Sequence, residues 1–161
     1  MYTLNDLKSF IGQTNDRELI LRQICLTADQ VIPGANMVSL WVFDPGHTKI
    51  QNLIAYQNQT GSFSVLPDLH QQDFPEYFSA IIENELLVAP NARTHSMTQS
   101  LSTAYFEPND IHSLLDFILH RDFQPIGVIC CESKGKPARW TPEDEENLRA
   151  LSILISYFFE L

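Results

Sequence analysis

The sequence predicts an α+β fold, and three observations carry that prediction. Short apolar or alternating runs of strand length recur between turn residues. Apolar positions at helical spacing mark both ends of the chain. The strand-like runs are joined by tight turns or by short helical segments, so the strands pair antiparallel. At the N-terminal end, a short helical piece around Leu4, Leu7, Lys8 and Ile11 precedes a longer one. That longer helix is capped by Asn15 or Asp16, carries Ile20, Ile24, Ala28 and Val31 on one face, and ends at Pro33-Gly34. Met37–Phe43 is too short and too apolar for a surface helix and reads as a strand buried on both faces. Asp44-Pro45-Gly46 turns it back into Ile50, Asn52, Ile54 and Tyr56, which makes a hairpin. Phe63–Leu66 reads as a short edge strand. Asp73 with Pro75 starts a helix bearing Phe74, Phe78, Ile81 and Ile82, and Leu86–Ala89 is a strand stopped by Pro90. Ser96 begins a brief helix through Thr98, Leu101 and Tyr105. Ile111–Leu119 and Ile126–Glu132 form a second hairpin across Arg121–Pro125. The last helix has Thr141 as N-cap, Pro142 at its first position and Glu143, Asp144 and Glu145 in the first turn, where carboxylates complement the dipole.

Composition excludes several classes of function. The 161 residues are 44% apolar and 11% aromatic, which fits one folded domain over residues 1–161, with 1–14 as a helical extension. The formal charge of −10 repels nucleic-acid phosphates and anionic lipid, so neither is an expected partner. Ala150–Phe159 spans half a bilayer at most, and no basic segment precedes an apolar run at the N-terminus; the expected location is cytoplasmic. Cys25, Cys130 and Cys131 have no zinc or disulfide spacing and read as packing residues.

The last helix is apolar on every side. Leu148, Leu151, Ile155 and Phe158 make one face, while Ile153, Leu154, Tyr157, Phe159 and Leu161 fill the others. The first long helix can cover one flank only. The expectation is a homodimer in which terminal helices meet their copies through Ile20, Ile24, Leu151, Ile155, Phe158 and Phe159. The helix runs to Leu161 without a capping glycine, which suggests an output domain beyond it.

Five blocks in order carry a family resemblance. They are Tyr77-Phe78-x-Ala80-Ile81; Asn91-Ala92 with Thr98; Tyr105-Phe106-x-Pro108-x-x-Ile111-x-Ser113-Leu114-Leu115-Asp116-x-Ile118; Gly127-Val128-Ile129-Cys130-x-Glu132; and Arg139-Trp140-Thr141-x-Glu143-Asp144. Together they resemble a GAF domain of the kind attached to bacterial sensor histidine kinases and diguanylate cyclases, from about residue 16 onward. Asn91 departs from the aspartate usual there. The resemblance implies a six-stranded antiparallel, profilin/PAS-like sheet. Its N- and C-terminal helices lie on one face, and a small-molecule pocket lies under the middle helices on the other. It also implies a regulatory sensor that relays ligand binding through its terminal helices, and rarely an enzyme.

The family's known chemistries find little support here. The cyclic-nucleotide signature is missing, and no cysteine is followed by the histidine common at bilin sites. Cys130 and Cys131 sit within a strand rather than on a loop, against a sulfoxide-reductase nucleophile. The five histidines have no helical metal spacing, and Glu143–Glu146 point in four directions, so no metal site and no catalytic residue is expected; the cofactor is unknown. The expected pocket lining is Ser39, Trp41, Tyr77, Thr98, Tyr105, His112 and Cys131. Ser39 and Trp41 share one strand face, Cys131 is assigned with Ile129 to the cavity side, and Thr98 and Tyr105 follow the family's habit of closing the site with their helix. The leading function is a small-molecule sensor. The alternatives are a ligand-free dimerisation module, with Tyr77, Tyr105, Phe106 and Phe117 filling the cavity, and a free methionine sulfoxide reductase.

Overall fold

The computed structural model describes residues 3–159. Four helices, α1 (Leu4–Gln13), α2 (Arg17–Val31), α3 (Pro75–Asn84) and α4 (Pro142–Phe158), surround seven strands. These are β1 (Met37–Phe43), β2 (Lys49–Gln57), β3 (Ser62–Ser64), β4 (Leu69–His70), β5 (Leu86–Ala89), β6 (Ile111–Arg121) and β7 (Gln124–Lys134). The sheet order is β3-β2-β1-β7-β6-β5, with β4 added beside β2 as a strand beyond the six expected. Every pairing is antiparallel.

Alternation along the central strands sorts their side chains to two faces. Val38, Leu40, Ile54, Tyr56, Leu115, Phe117, Leu119, Ile129 and Cys131 pack against α1, α2 and α4. Met37, Trp41, Phe43, Ala55, Leu114, Ile118, Val128 and Cys130 face α3 and the connection through residues 99–106. Strands buried on both faces follow: β1 is apolar but for Ser39, and Leu114–Leu119 of β6 and Ile126–Cys131 of β7 are apolar runs broken by Asp116 and Gly127.

The helix starts are set by local chemistry. The Asp16 carboxylate accepts from the Leu19 amide at 3.2 Å. Thr141 and Asp144 form a reciprocal capping box at 3.1 and 2.8 Å. At α3 the cap is Phe74 rather than Asp73, without a side-chain bond, and Pro75 alone sets the start. The brief helix expected after Ser96 is present as a 3-10 turn (Gln99–Leu101) followed by a π-helical segment (Ser102–Phe106). Together the 3-10 turn and the π segment bury Leu101, Tyr105 and Phe106.

The expected dimer surface needs correction. Ile20, Ile24, Leu151, Ile155 and Phe159 are buried in the chain's own core, because α1, α2 and the sheet together cover that side of α4. Of the six, Phe158 stays half-exposed, and the exposed side of α4 is formed by Ile153 and Tyr157. The contribution foreseen for Leu161 lies outside the described residues. No helix among the described residues is long and apolar enough to cross a membrane.

Candidate functional site

The sheet face under α3 and residues 99–106 is apolar except along its middle. The pairing puts Ala55, Ser39, Cys130 and Asp116 in one row across four strands. Small side chains make the first three members, so the row, here called the trough, is the least bulky line across this face. Glu132 sits diagonally from Asp116, opposite Leu114 and beside Met37. Three aromatic residues close over the trough. The Tyr77 hydroxyl, from α3, donates to Asp116 Oδ2 at 2.6 Å, and the Tyr105 hydroxyl, from the π segment, donates to Glu132 Oε1 at 3.0 Å. Trp41 donates its indole N–H to Ser39 Oγ at 2.8 Å and meets Tyr105 edge to face, with ring centroids 6.3 Å apart.

Both carboxyls are fully buried, and this dominates their chemistry. Burial pushes Asp116 up to about 7, opposed first by the hydrogen bond that Tyr77 donates to it. Burial and the neighbouring Asp116 push Glu132 up to about 8, opposed by Tyr105. Burial likewise raises the Tyr77 and Tyr105 hydroxyls and the Cys130 thiol well above their usual values. Asp116 Oδ1 is buried with no hydrogen-bond partner. An orphaned acceptor of this kind costs about 1–3 kcal/mol, more when charged, and needs a reason.

Of the residues expected at the site, the structure brings Ser39, Trp41, Tyr77 and Tyr105 together. Thr98 is buried nearby in sequence but spends its hydroxyl on the Ala92 carbonyl at 2.6 Å, fastening the loop before the 3-10 turn. His112 bonds Asp110 at 3.0 Å, partly exposed at the start of β6 and outside the buried cluster. Cys131 is on the opposite face, in the core beneath the terminal helices, and Phe117 is there too. The alternation therefore points Cys130 and Glu132 into the trough. Asp116, Cys130 and Glu132 are the residues that sequence reasoning missed. A polar residue two positions from Leu114 and Ile118 on one strand face, and Cys130-x-Glu132 on the next strand, were the available signals.

The sequence matches the GAF domain family over residues 16–157. The chain is a GAF domain. Solved structures agree in fold. A free methionine-R-sulfoxide reductase from Neisseria meningitidis, in complex with its substrate, superposes with a TM-score of 0.70 at 15% identity, covering 97% of this chain and 85% of that one. The chromophore-binding domain of Stigmatella aurantiaca phytochrome P1 gives 0.75 at 13% identity, covering 98% of this chain, which spans 59% of that chain. The GAF domain of an Acinetobacter phosphoenolpyruvate-protein phosphotransferase gives 0.74 at 14% identity, with 95% and 87% covered. At such identities the likeness is one of fold. No curated protein is similar in sequence to this chain. GAF domains are commonly sensory or regulatory modules.

Proposed function

We propose that this GAF domain is a regulatory sensor that holds a small molecule in the trough and relays its presence through the terminal helices to a partner or fused output module. The observation that carries this reading is the polar cluster itself. A layer built only for stability would place apolar residues at positions 116 and 132, since buried carboxyls and an orphaned oxygen cost free energy. The relay has a direct path, because β6 and β7 carry trough residues on one face and residues packed under the terminal helices on the other. A kinase or cyclase output and a cytoplasmic setting are part of the same reading.

The GAF domain is proposed not to be an enzyme. Burial raises the thiol pKa of Cys25, Cys130 and Cys131 alike, the reverse of what a nucleophilic thiol needs. A second reading, a dimerisation module without ligand, is favoured by the exposed Ile153, Tyr157 and Phe158 and by the close filling of the sheet face by Trp41, Phe78 and Phe106. Native mass spectrometry of freshly purified protein separates the two. The sensor reading expects a small-molecule mass that is lost on denaturation. A bare dimer mass, unchanged by incubation with cell extract, overturns it in favour of the module.

A further inference from the structure

The reading of the trough as a ligand site can be sharpened to a ligand class, and the inference rests on that reading. We propose that the trough takes an organic ammonium: a ligand whose protonated amine sits between Asp116 and Glu132, with the rings of Trp41, Tyr77 and Tyr105 around it.

Asp116 Oδ1 is an acceptor, fully buried and without a partner, so the missing group is a hydrogen-bond donor. The donor is cationic because the site holds two buried carboxyls at diagonal positions of neighbouring strands, and the Asp116 carboxyl disfavours the charge of Glu132. Among the described residues, the basic side chains in ion pairs are committed elsewhere, at Glu18–Arg22, Lys49–Asp68 and Arg93–Asp110. The groups that act on the proton affinity of Asp116 and Glu132 are Tyr77 from α3, Tyr105 from the π segment, Cys130 from β7 and the carboxyls themselves; no cation is among them. One ammonium placed between them donates to Asp116 Oδ1 and favours the charged form of both carboxyls.

The ligand is organic rather than a metal ion. No group of three histidine, cysteine or acidic side chains among the described residues could ligate a metal. The walls are aromatic, and electron-rich ring faces attract ammonium groups while packing against the carbon they are attached to. The floor beneath such a ligand is made of the small side chains of Ala55, Ser39 and Cys130. The Gln99–Phe106 connection, built of a 3-10 and a π turn, carries Tyr105 and covers the site.

Three probes of one size test the class: benzylamine, benzyl alcohol and benzoate, each titrated calorimetrically into the whole chain. Benzylamine is expected to bind and the other two to bind at least about tenfold more weakly, the scale of one hydrogen bond to a charged group. Both Asp116→Asn and Glu132→Gln should weaken benzylamine by about tenfold while each variant keeps a cooperative thermal transition, so that one suffices if the other does not fold. Because the carboxyls lose protons on pairing, benzylamine affinity should rise between about pH 6 and about pH 8, with proton release visible as a dependence of the heat on the buffer. Equal or tighter binding of benzyl alcohol or benzoate overturns the ammonium class and leaves the sensor reading standing. So does benzylamine binding that both variants leave unchanged. Failure of all three probes also overturns the class, and the retained-mass measurement then decides the sensor reading by itself.

Discussion

At the scale of single residues, Asp116 and Glu132 set the acid–base behaviour of the fold. In an unfolded chain a carboxyl titrates near 4, whereas burial holds Asp116 at about 7 and Glu132 at about 8. Between those values the folded state keeps protons that the unfolded chain has released. The stability these groups contribute is therefore fully present below about pH 4 and is lost as pH rises toward about 8, at about 1.4 kcal/mol for each tenfold difference in proton affinity between the folded and unfolded chain. The urea midpoint of the wild type should fall from about pH 5 to about pH 8.5, and the double variant Asp116→Asn, Glu132→Gln should flatten that fall. Parallel curves for the two proteins would show that the carboxyls do not titrate as their burial implies. These residues were poorly legible in the sequence. Asp116 and Glu132 were visible only as members of family blocks, since nothing in a single sequence says which face of a doubly buried strand a polar residue takes. The parity of β7 hid them: assigning Cys131 to the cavity turned Cys130 and Glu132 away from it.

Elements were more legible than faces, because periodicity and caps are local while faces are decided by packing. Thr141-Pro142 and Pro33-Gly34 mark helix ends by chemistry that acts within a turn, and both hairpins stand where Asp44–Gly46 and Arg121–Pro125 place them. The π segment was not legible, since it arises from the need to bury residues 101, 105 and 106 together. The β6–β7 hairpin also holds an anomaly. Its two-residue turn puts Asp122 and Phe123 at φ 50° and 63°, values that suit Asn-Gly, and Phe123 is 96% exposed. A phenylalanine there strains the backbone and gains no burial. Phe123→Gly should stabilise the fold by about 1 kcal/mol in urea unfolding, with no change in the slope of the transition. A lowered midpoint would mean that the Phe123 ring makes a stabilising contact in solution.

On the scale of the whole molecule, the question is what covers the outer side of α4. A helix apolar all round suggests a dimer, yet most of its apolar residues are answered inside the chain. Leu148, Leu151 and Ile155 lie in the core, and Phe158 lies beside Lys8 of α1, at 5.6 Å from ammonium to ring centre. What remains is Ile153 at 59% and Tyr157 at 80% exposure, beside a groove of about 440 Å³ that Phe117, Arg121 and Arg149 also line. Arg149 lies over the Phe117 ring at 5.2 Å, and the two form a wall of the groove against which a second α4 would pack in the proposed dimer. A proposed dimer therefore runs through this exposed side rather than through Ile20, Ile24, Leu151, Ile155 or Phe159. The distinction is measurable. Ile153→Glu with Tyr157→Glu should convert a dimer to a monomer in sedimentation while leaving the thermal midpoint of the monomer nearly intact, because neither side chain supports the core. Ile155→Glu places a charge inside the core and should instead abolish folding, a cost of several kcal/mol. A wild-type chain that sediments as a monomer at high micromolar concentration removes the dimer. The relay proposed from trough to terminal helices would then have to act on a partner within one chain.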